Sequence, residues 1–469
     1  MHLTTILAVS SQLAPARSQM AFTLGFHIIL ASIGVAFPAM MLIANYRGLR
    51  HHDPVALDLA QRWSKCAAVL FAVGAVTGTV LSFEFGLLWP EFTDRFGEVF
   101  GIGFAIEGIF FFTEAIFIAI YIYGWKRLSG WAHFWTGVPV VIAGLGGAFS
   151  VVTVNAWMNQ PDGFRIASNG QITDVAPLDA IFNRATTYEV PHMILAAYLV
   201  TGFLVASVYA VGMLRGRRDR HHRLGLLIPL TVASIATPIQ FAVGDTAARA
   251  IADDQPVKFA AMECVQTTHT HVTEYLGGRC ASSGVKDGIG IPGLDSFLVG
   301  FSTDTKVIGL NSVPSSDRPP ANTMLHLSFD AMVGICTLLI GLGLWLGWAW
   351  WRRRDIPRTP WFLRAVAASG VAAVVALECG WIVTEVGRQP WIVYNVMRTK
   401  DAVTGASGVW VTFSAVLVLY TALGIATVLI LRTMAHRWRT ADVGEAEVPY
   451  GPSEPPPPPE AGPPAGRAG

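Results

Sequence analysis

Nine stretches of this chain are long and apolar enough to cross the roughly 30 Å of a bilayer's hydrocarbon core, and nothing else restricts the fold so tightly. They lie near residues 20–45, 64–88, 101–124, 133–156, 188–213, 225–244, 324–350, 362–386 and 408–431. In lipid every backbone N–H and C=O must be satisfied internally, so stretches of this length predict helices. The expected class is an all-α integral membrane protein, a bundle of about nine transmembrane helices. Composition agrees: 14% of the 469 residues are charged, against roughly 25% in a soluble domain. The 15 Trp and 26 Phe suit helices that pack around flat ligands, and also anchoring at the membrane interfaces. No feature points to nucleic acid.

Charge between the spans alternates. Arginine runs follow the odd-numbered windows: Arg47 and Arg50, then Lys126 and Arg127, Arg215 to Arg223, Arg352 to Arg358, and Arg432 to Arg439. The positive-inside rule therefore predicts an outer N-terminus and a cytoplasmic C-terminus. The first 18 residues lack the basic start of a secretory signal and predict a short outer segment leading into the first span. Residues 1–440 form the predicted membrane domain, including an outer loop at 245–323, and the Pro-rich 441–469 a disordered cytoplasmic tail.

Against this background, His27, Glu107, His192, Met332 and Glu378 sit inside apolar stretches. An ionisable group in hydrocarbon is costly and usually marks an ion path, a cofactor or a relay. With 1.5 Å of rise per residue, His27 lies about 10 Å inside the outer end of its span, and the other four reach a similar level. Singly, each has a plain explanation as a hydrogen-bonded neighbour or a gap-filling methionine. Five helices delivering ligand-type side chains to one layer is hard to reconcile with scatter, and His, Met and Glu are haem-ligating or proton-carrying residues. Glu107 and Glu114 are seven residues apart, two turns on nearly one face, about 10 Å along the axis. That stacking suits a proton relay, although one carboxylate paired with a basic residue would look the same.

The longest connection, Asp245 to about Asn322, predicts a short helix between Gln255 and Cys264. Lys258 and Glu263 there could bind the polar head of an amphipathic ligand, or be ordinary solvated residues. Cys264 and Cys280 share this connection, and an oxidising exterior would allow a disulfide worth roughly 3 kcal/mol. His269, His271 and Glu274 read as a solvated loop rather than a metal site.

Several motifs in order resemble the haem-bearing subunit I of cytochrome bd quinol oxidases, from about Arg17 to Trp438. They are RSQMAFTLGFH, FGIGFAIEG, VNAWMNQP, YEVPHMILAAYLVTG, QPVKFAAME, SFDAMVG and ECGWIVTEVGRQPW. The resemblance implies a low-spin haem b held by His192 and Met332, and a high-spin haem b and a haem d on His27 and Glu378, with Glu107 beside or on the haem d iron. It makes Lys258 and Glu263 the quinol pair and sets Arg388 against propionates or nearby carboxylates. It implies a quinol oxidase of the bacterial cytoplasmic membrane that reduces O2 to water with cytoplasmic protons, taken up through Glu114, and builds a proton-motive force without pumping. Expected partners are subunit II, membrane quinone and O2, with room for a small single-span subunit. Better-known members separate the two third-span glutamates by eight residues and often carry a basic residue where Asp330 stands, so Glu114 and the charge near Met332 depart from pattern. The rival readings are a paralogue with b haems only or with a non-quinol donor, and an ion-coupled transporter.

Overall fold

The computed structural model describes residues 2–320, 322–357, 359–440 and 450. In chain order it contains α1 (His2–Arg50), α2 (Pro54–Leu88), α3 (Pro90–Gly124), α4 (Gly130–Asn159), strands β1 (Arg165–Ile166) and β2 (Ile172–Thr173), α5 (Pro177–Ile181), α6 (Thr186–Leu214) and α7 (Arg220–Asp254). The long connection follows with α8 (Pro256–Met262), β3 (Glu274–Leu276), β4 (Arg279–Ala281), β5 (Gly284–Lys286), β6 (Ile289–Ile291) and α9 (Leu294–Gly300). Then come α10 (Asn322–Arg353), α11 (Pro360–Arg388), β7 (Trp391–Val393), β8 (Met397–Arg398), α12 (Thr399–Ala402) and α13 (Val409–Thr440). Among the described residues nine helices are long and apolar enough to span a membrane, and each contains one of the nine windows. None is broken in mid-span, whereas the transporter reading requires discontinuous helices in paired halves.

Helices outrun the windows because hydropathy marks only their apolar middles. Their ends are set by polar caps. Asp53 accepts from Ala56 N (3.3 Å) with Pro54 at the first turn of α2, and Asp219 accepts from His222 N (3.0 Å) at the start of α7. Asp53 also pairs with Arg220 (2.7 Å) and Arg47 (3.4 Å), tying three helices together at the arginine-rich end of the bundle. Two expectations are corrected. The segment before the first span is no separate outer element: its backbone is helical and continuous with α1. The long connection starts at Gln255 and not Asp245, because α7 runs on to Asp254.

Within the bundle, Thr201 Oγ1 donates to Ser32 O (3.0 Å) between α6 and α1, and Trp63 Nε1 to Tyr209 OH (2.9 Å) between α2 and α6. Such polar ties matter in lipid, where no hydrophobic force draws helices together. The long connection is folded onto the bundle. The predicted short helix is α8, β3 pairs antiparallel with β6 and β4 with β5, and Val257, Phe259, Met262, Val272, Val307 and Leu310 pack with Leu325 and Val383 in one core. A disulfide joins Cys264 to Cys280, while Cys66, Cys336 and Cys379 are free. The predicted disordered tail lies outside the described residues apart from Tyr450. That residue is held: its hydroxyl accepts from Asn45 Nδ2 (2.6 Å), and its ring lies 5.2 Å from that of Trp125.

The bonding of the cysteines is directly countable. Unfolded under non-reducing conditions, the protein should react with a maleimide at three thiols, and at five after reduction. Five without reductant would remove the Cys264–Cys280 bond.

Candidate functional site

Eight of the nine residues singled out in the sequence line one cavity of about 1230 Å³: His27, Glu107, Glu114, His192, Lys258, Glu263, Met332 and Arg388. A usual small-molecule site measures about 300–1,000 Å³. This one threads between α1, α2, α3, α4, α6, α7, α10 and α11 and reaches the folded connection. Glu378 is set slightly aside. Its Oε2 lies against Gly25, two residues before His27 on α1, 3.2 Å from where a Cβ on that glycine would stand.

Small residues make room for the large polar ones. A Cβ at Gly78 of α2 would meet His27 Cε1 at 3.1 Å, and one at Gly380 of α11 would meet Met332 Sδ at 3.0 Å. His27 Nδ1 lies 2.9 Å from Thr77 Oγ1. The Thr77 hydroxyl is itself within 3.1 Å of the carbonyls of Val73 and Gly74, so its proton is directed at the backbone and its lone pair accepts from Nδ1–H. That fixes the tautomer and leaves Nε2 as a bare lone pair, the form a metal requires. On α6, one ring nitrogen of His192 faces the Gln240 amide at 3.2 Å, and the other, Nδ1, is buried without a partner.

Further polar atoms share that condition. Glu378 Oε1 has no partner, nor do Nε and Nη1 of Arg388, which is 2% exposed. Arg388 uses Nη2 alone, on both oxygens of Glu385 at 2.9 and 3.0 Å. Buried polar groups are nearly always satisfied, so a set of orphans around one large cavity points to a bound polar group. A tetrapyrrole with carboxylate side chains fits these donors: an imidazole with a free nitrogen, a second imidazole with an orphan one, a thioether, a carboxylate and a half-used guanidinium. Glu107 and Glu114 have no salt bridge among the described residues, so the explanation of a simple charge pair finds no support.

At the folded connection Lys258 is 3% and Glu263 5% exposed, so neither is a solvated surface residue. The Lys258 stem lies over Gly387, 3.0 Å from where a Cβ would stand. Burial pushes its ammonium down to about 8, with Glu189 opposing the shift. Burial, with Glu274 and Asp295 beside it, pushes Glu263 well above the usual carboxylate range. The alternative metal trio does not assemble: His269 and His271 are exposed, His271 lies 3.3 Å from Asp304, and Glu274 is buried. Asp330 accepts from Gly277 N (2.6 Å), a structural task that suits an acid.

Several participants carried no assigned role in the sequence. Asn159 Nδ2 donates to Glu189 Oε1 (2.8 Å) and Asn155 Oδ1 (3.1 Å), and Asn155 Nδ2 to Glu385 Oε1 (3.3 Å). These residues lie in the quoted motifs VNAWMNQP, YEVPH and TEVGR, which was their only signal. Glu84, 5% exposed, accepts from Gln19 Nε2 (2.8 Å) and Thr23 Oγ1 (2.6 Å). It sits in the second apolar window, and the rule that picked out Glu107 could have found it.

Residues 15–438 match the family described as cytochrome bd terminal oxidase subunit I. The chain is 36% identical over 423 residues to a putative cytochrome bd menaquinol oxidase subunit I of Bacillus subtilis, covering 89% of this chain and 95% of that protein. It is 29% identical over 411 residues to the cytochrome bd ubiquinol oxidase subunit 1 of the same organism, covering 84% and 86%. The solved bd oxidase of Geobacillus thermodenitrificans superimposes with a TM-score of 0.84 at 34% identity, over 91% of this chain and 98% of that one.

Proposed function

The chain belongs to the cytochrome bd terminal oxidase subunit I family and is a multi-pass protein of the bacterial cytoplasmic membrane, and from there we propose that it oxidises membrane quinol at one face of the bilayer and reduces O2 to water inside. The observation that carries this reading is the single cavity joining His27, His192 and Met332 to Lys258 and Glu263.

In this reading His192 and Met332 would hold a low-spin haem b, a group suited to electron transfer. His27 and Glu378 would hold a high-spin haem b and a haem d, with Glu107 serving the haem d site. When bound, these groups supply one-electron transfer and an iron centre where O2 is reduced. The protein's own residues do the rest. Thr77 holds His27 with Nε2 free, and Arg388 offers its two unused nitrogens, Nε and Nη1, to propionates. Lys258 donates to a quinol oxygen, and Glu263 takes part in removing the hydroxyl proton. Glu107 and Glu114, on one face of α3 and without a salt bridge among the described residues, hold protons and pass them from the arginine-rich end towards the O2 site. Release at the outer face with uptake from the cytoplasm separates charge without a pump. Subunit II of the oxidase is the proposed partner, with a small single-span subunit as a further one.

A reduced-minus-oxidised spectrum of membranes carrying the chain with its partner subunit tests the proposal. Quinol should bring up haem bands, including a chlorin-type red band; their absence would end the oxidase reading. His192→Ala and Met332→Leu should each lose the low-spin bands. Retention of those bands and of full quinol oxidation in both variants would move the electron entry point elsewhere.

Lys258 sets a pH dependence. Its ammonium is charged below about 8 and neutral above, so KM for quinol should climb as pH rises through 8. Lys258→Arg keeps the charge and should hold KM flat across that range. Lys258→Ala should raise it about tenfold or more, as expected for a lost charge-assisted hydrogen bond. An unchanged KM in K258A would place the quinol head away from this residue.

A further inference from the structure

Behind Glu263 the folded connection holds two more acids that the quinol chemistry above does not use. Glu274 on β3 and Asp295 on α9 each bring a carboxylate oxygen within 4.8 Å of the others and of Glu263. All three are buried, at 5% exposure for Glu263, 7% for Glu274 and 1% for Asp295, and all three line the same cavity as Lys258. None has a basic partner within salt-bridge distance among the described residues. No protein N–H or O–H reaches Glu263 Oε2 or Asp295 Oδ2, both fully buried. Three such groups cannot all be ionised so close together in a dry setting, so the carboxyls must carry protons themselves and share them.

We propose that Glu274 is the proton acceptor behind Glu263: Glu263 passes each quinol proton inward to Glu274, and Asp295 completes the proton-sharing cluster. The inference rests on the quinol-site reading above. In the step, the quinol O–H bond breaks and its proton bonds to one carboxyl oxygen of Glu263. The proton already on Glu263 leaves its other oxygen for the Glu274 carboxylate. The electron pair of the broken bond stays on the quinol oxygen and leaves as the quinol is oxidised to quinone by the oxidase. Glu263 ends as it began, protonated, so it acts as a relay rather than as a base.

The surroundings rank the three acids in the order this needs. Glu263, pressed by burial and by Glu274, Asp295 and Asp330, stays protonated and donates to Glu274. Burial and Asp330 raise Glu274 only to about 7, because His326 and the hydrogen bond from Glu263 favour its charged form. Burial and Glu274 raise Asp295 to about 8. Glu274 is thus the member poised to accept near neutral pH, which is where an acceptor works best. Beyond it stand His326, with ring nitrogens 2.8 Å from Met262 O and 3.2 Å from Gly277 O, and Asp330, 3.5 Å from His326 Nε2. The Asp330 side chain is 15% exposed, the first of these groups to meet solvent.

The test uses the whole oxidase in membranes. Glu274 acts through Glu263, so the decisive readout is a pH profile. Wild-type kcat with quinol should fall as pH drops through about 7, where Glu274 loses its charge. Glu274→Gln should lower kcat about a hundredfold and abolish that acid limb, with KM for quinol, the dithionite-reduced haem spectrum and turnover with an electron donor that releases no protons all unchanged. Glu274→Asp should restore most of the rate and the limb. Normal quinol turnover with an intact limb in E274Q would overturn the proposal while leaving the quinol site standing, provided Glu263→Gln is impaired; normal turnover in E263Q would overturn the site reading itself. Loss of quinol turnover on chelation, restored by Ca2+, would make the cluster a cation site and also overturn the relay.

Discussion

A polar group inside a bilayer must find a partner within the protein, and the structure is organised around meeting that demand. Backbone groups meet it through helices alone. Side chains meet it in two ways. Glu84, Thr201 and Trp63 are satisfied by neighbouring helices and act as ties. His192 and Arg388 are left with unpaired atoms on one large cavity, and Glu378 with one slightly aside from it, the pattern expected where a bound group completes the set.

The cavity joins two environments that need different chemistry. Deep in the bundle, His27 and Met332 stand against glycines on facing helices, so room for these two side chains comes from the missing Cβ atoms of Gly78 and Gly380. At the rim, the folded connection supplies dense charge: Lys258 beside Arg388 and Glu385, then the carboxyl cluster. That connection has its own apolar core and a disulfide. Such bracing suits a region that must keep acids and a lysine buried against their preference for water.

Much of the fold was legible, because a 20-residue apolar run leaves the backbone few choices. Ends were less so: α7 continues ten residues past its window to Asp254, since Arg249 and Asp245 pair along the helix and hydropathy does not register that. The candidate residues came partly from cost, an ionisable group in lipid, and partly from family motifs. Both criteria pass over Thr77 and Gln240, and the motif that contains Asn159 gave it no role; all three are unremarkable in type and matter only through what they touch. The carboxyl cluster was invisible for a plainer reason. Glu263, Glu274 and Asp295 are spread over thirty-odd residues of an irregular connection, and only its folding makes them neighbours.

Sequence alone determined the number of spans, the helical class and which side chains are too costly to face lipid, because those follow from transfer free energies taken one segment at a time. Tertiary structure decided which orphaned atoms share a cavity, which nitrogen of His27 stays free, and that Lys258 and Glu263 are buried rather than solvated. Those outcomes depend on distances between atoms far apart in the chain, and an electrostatic interaction is set by distance and burial, neither of which is a property of a residue by itself.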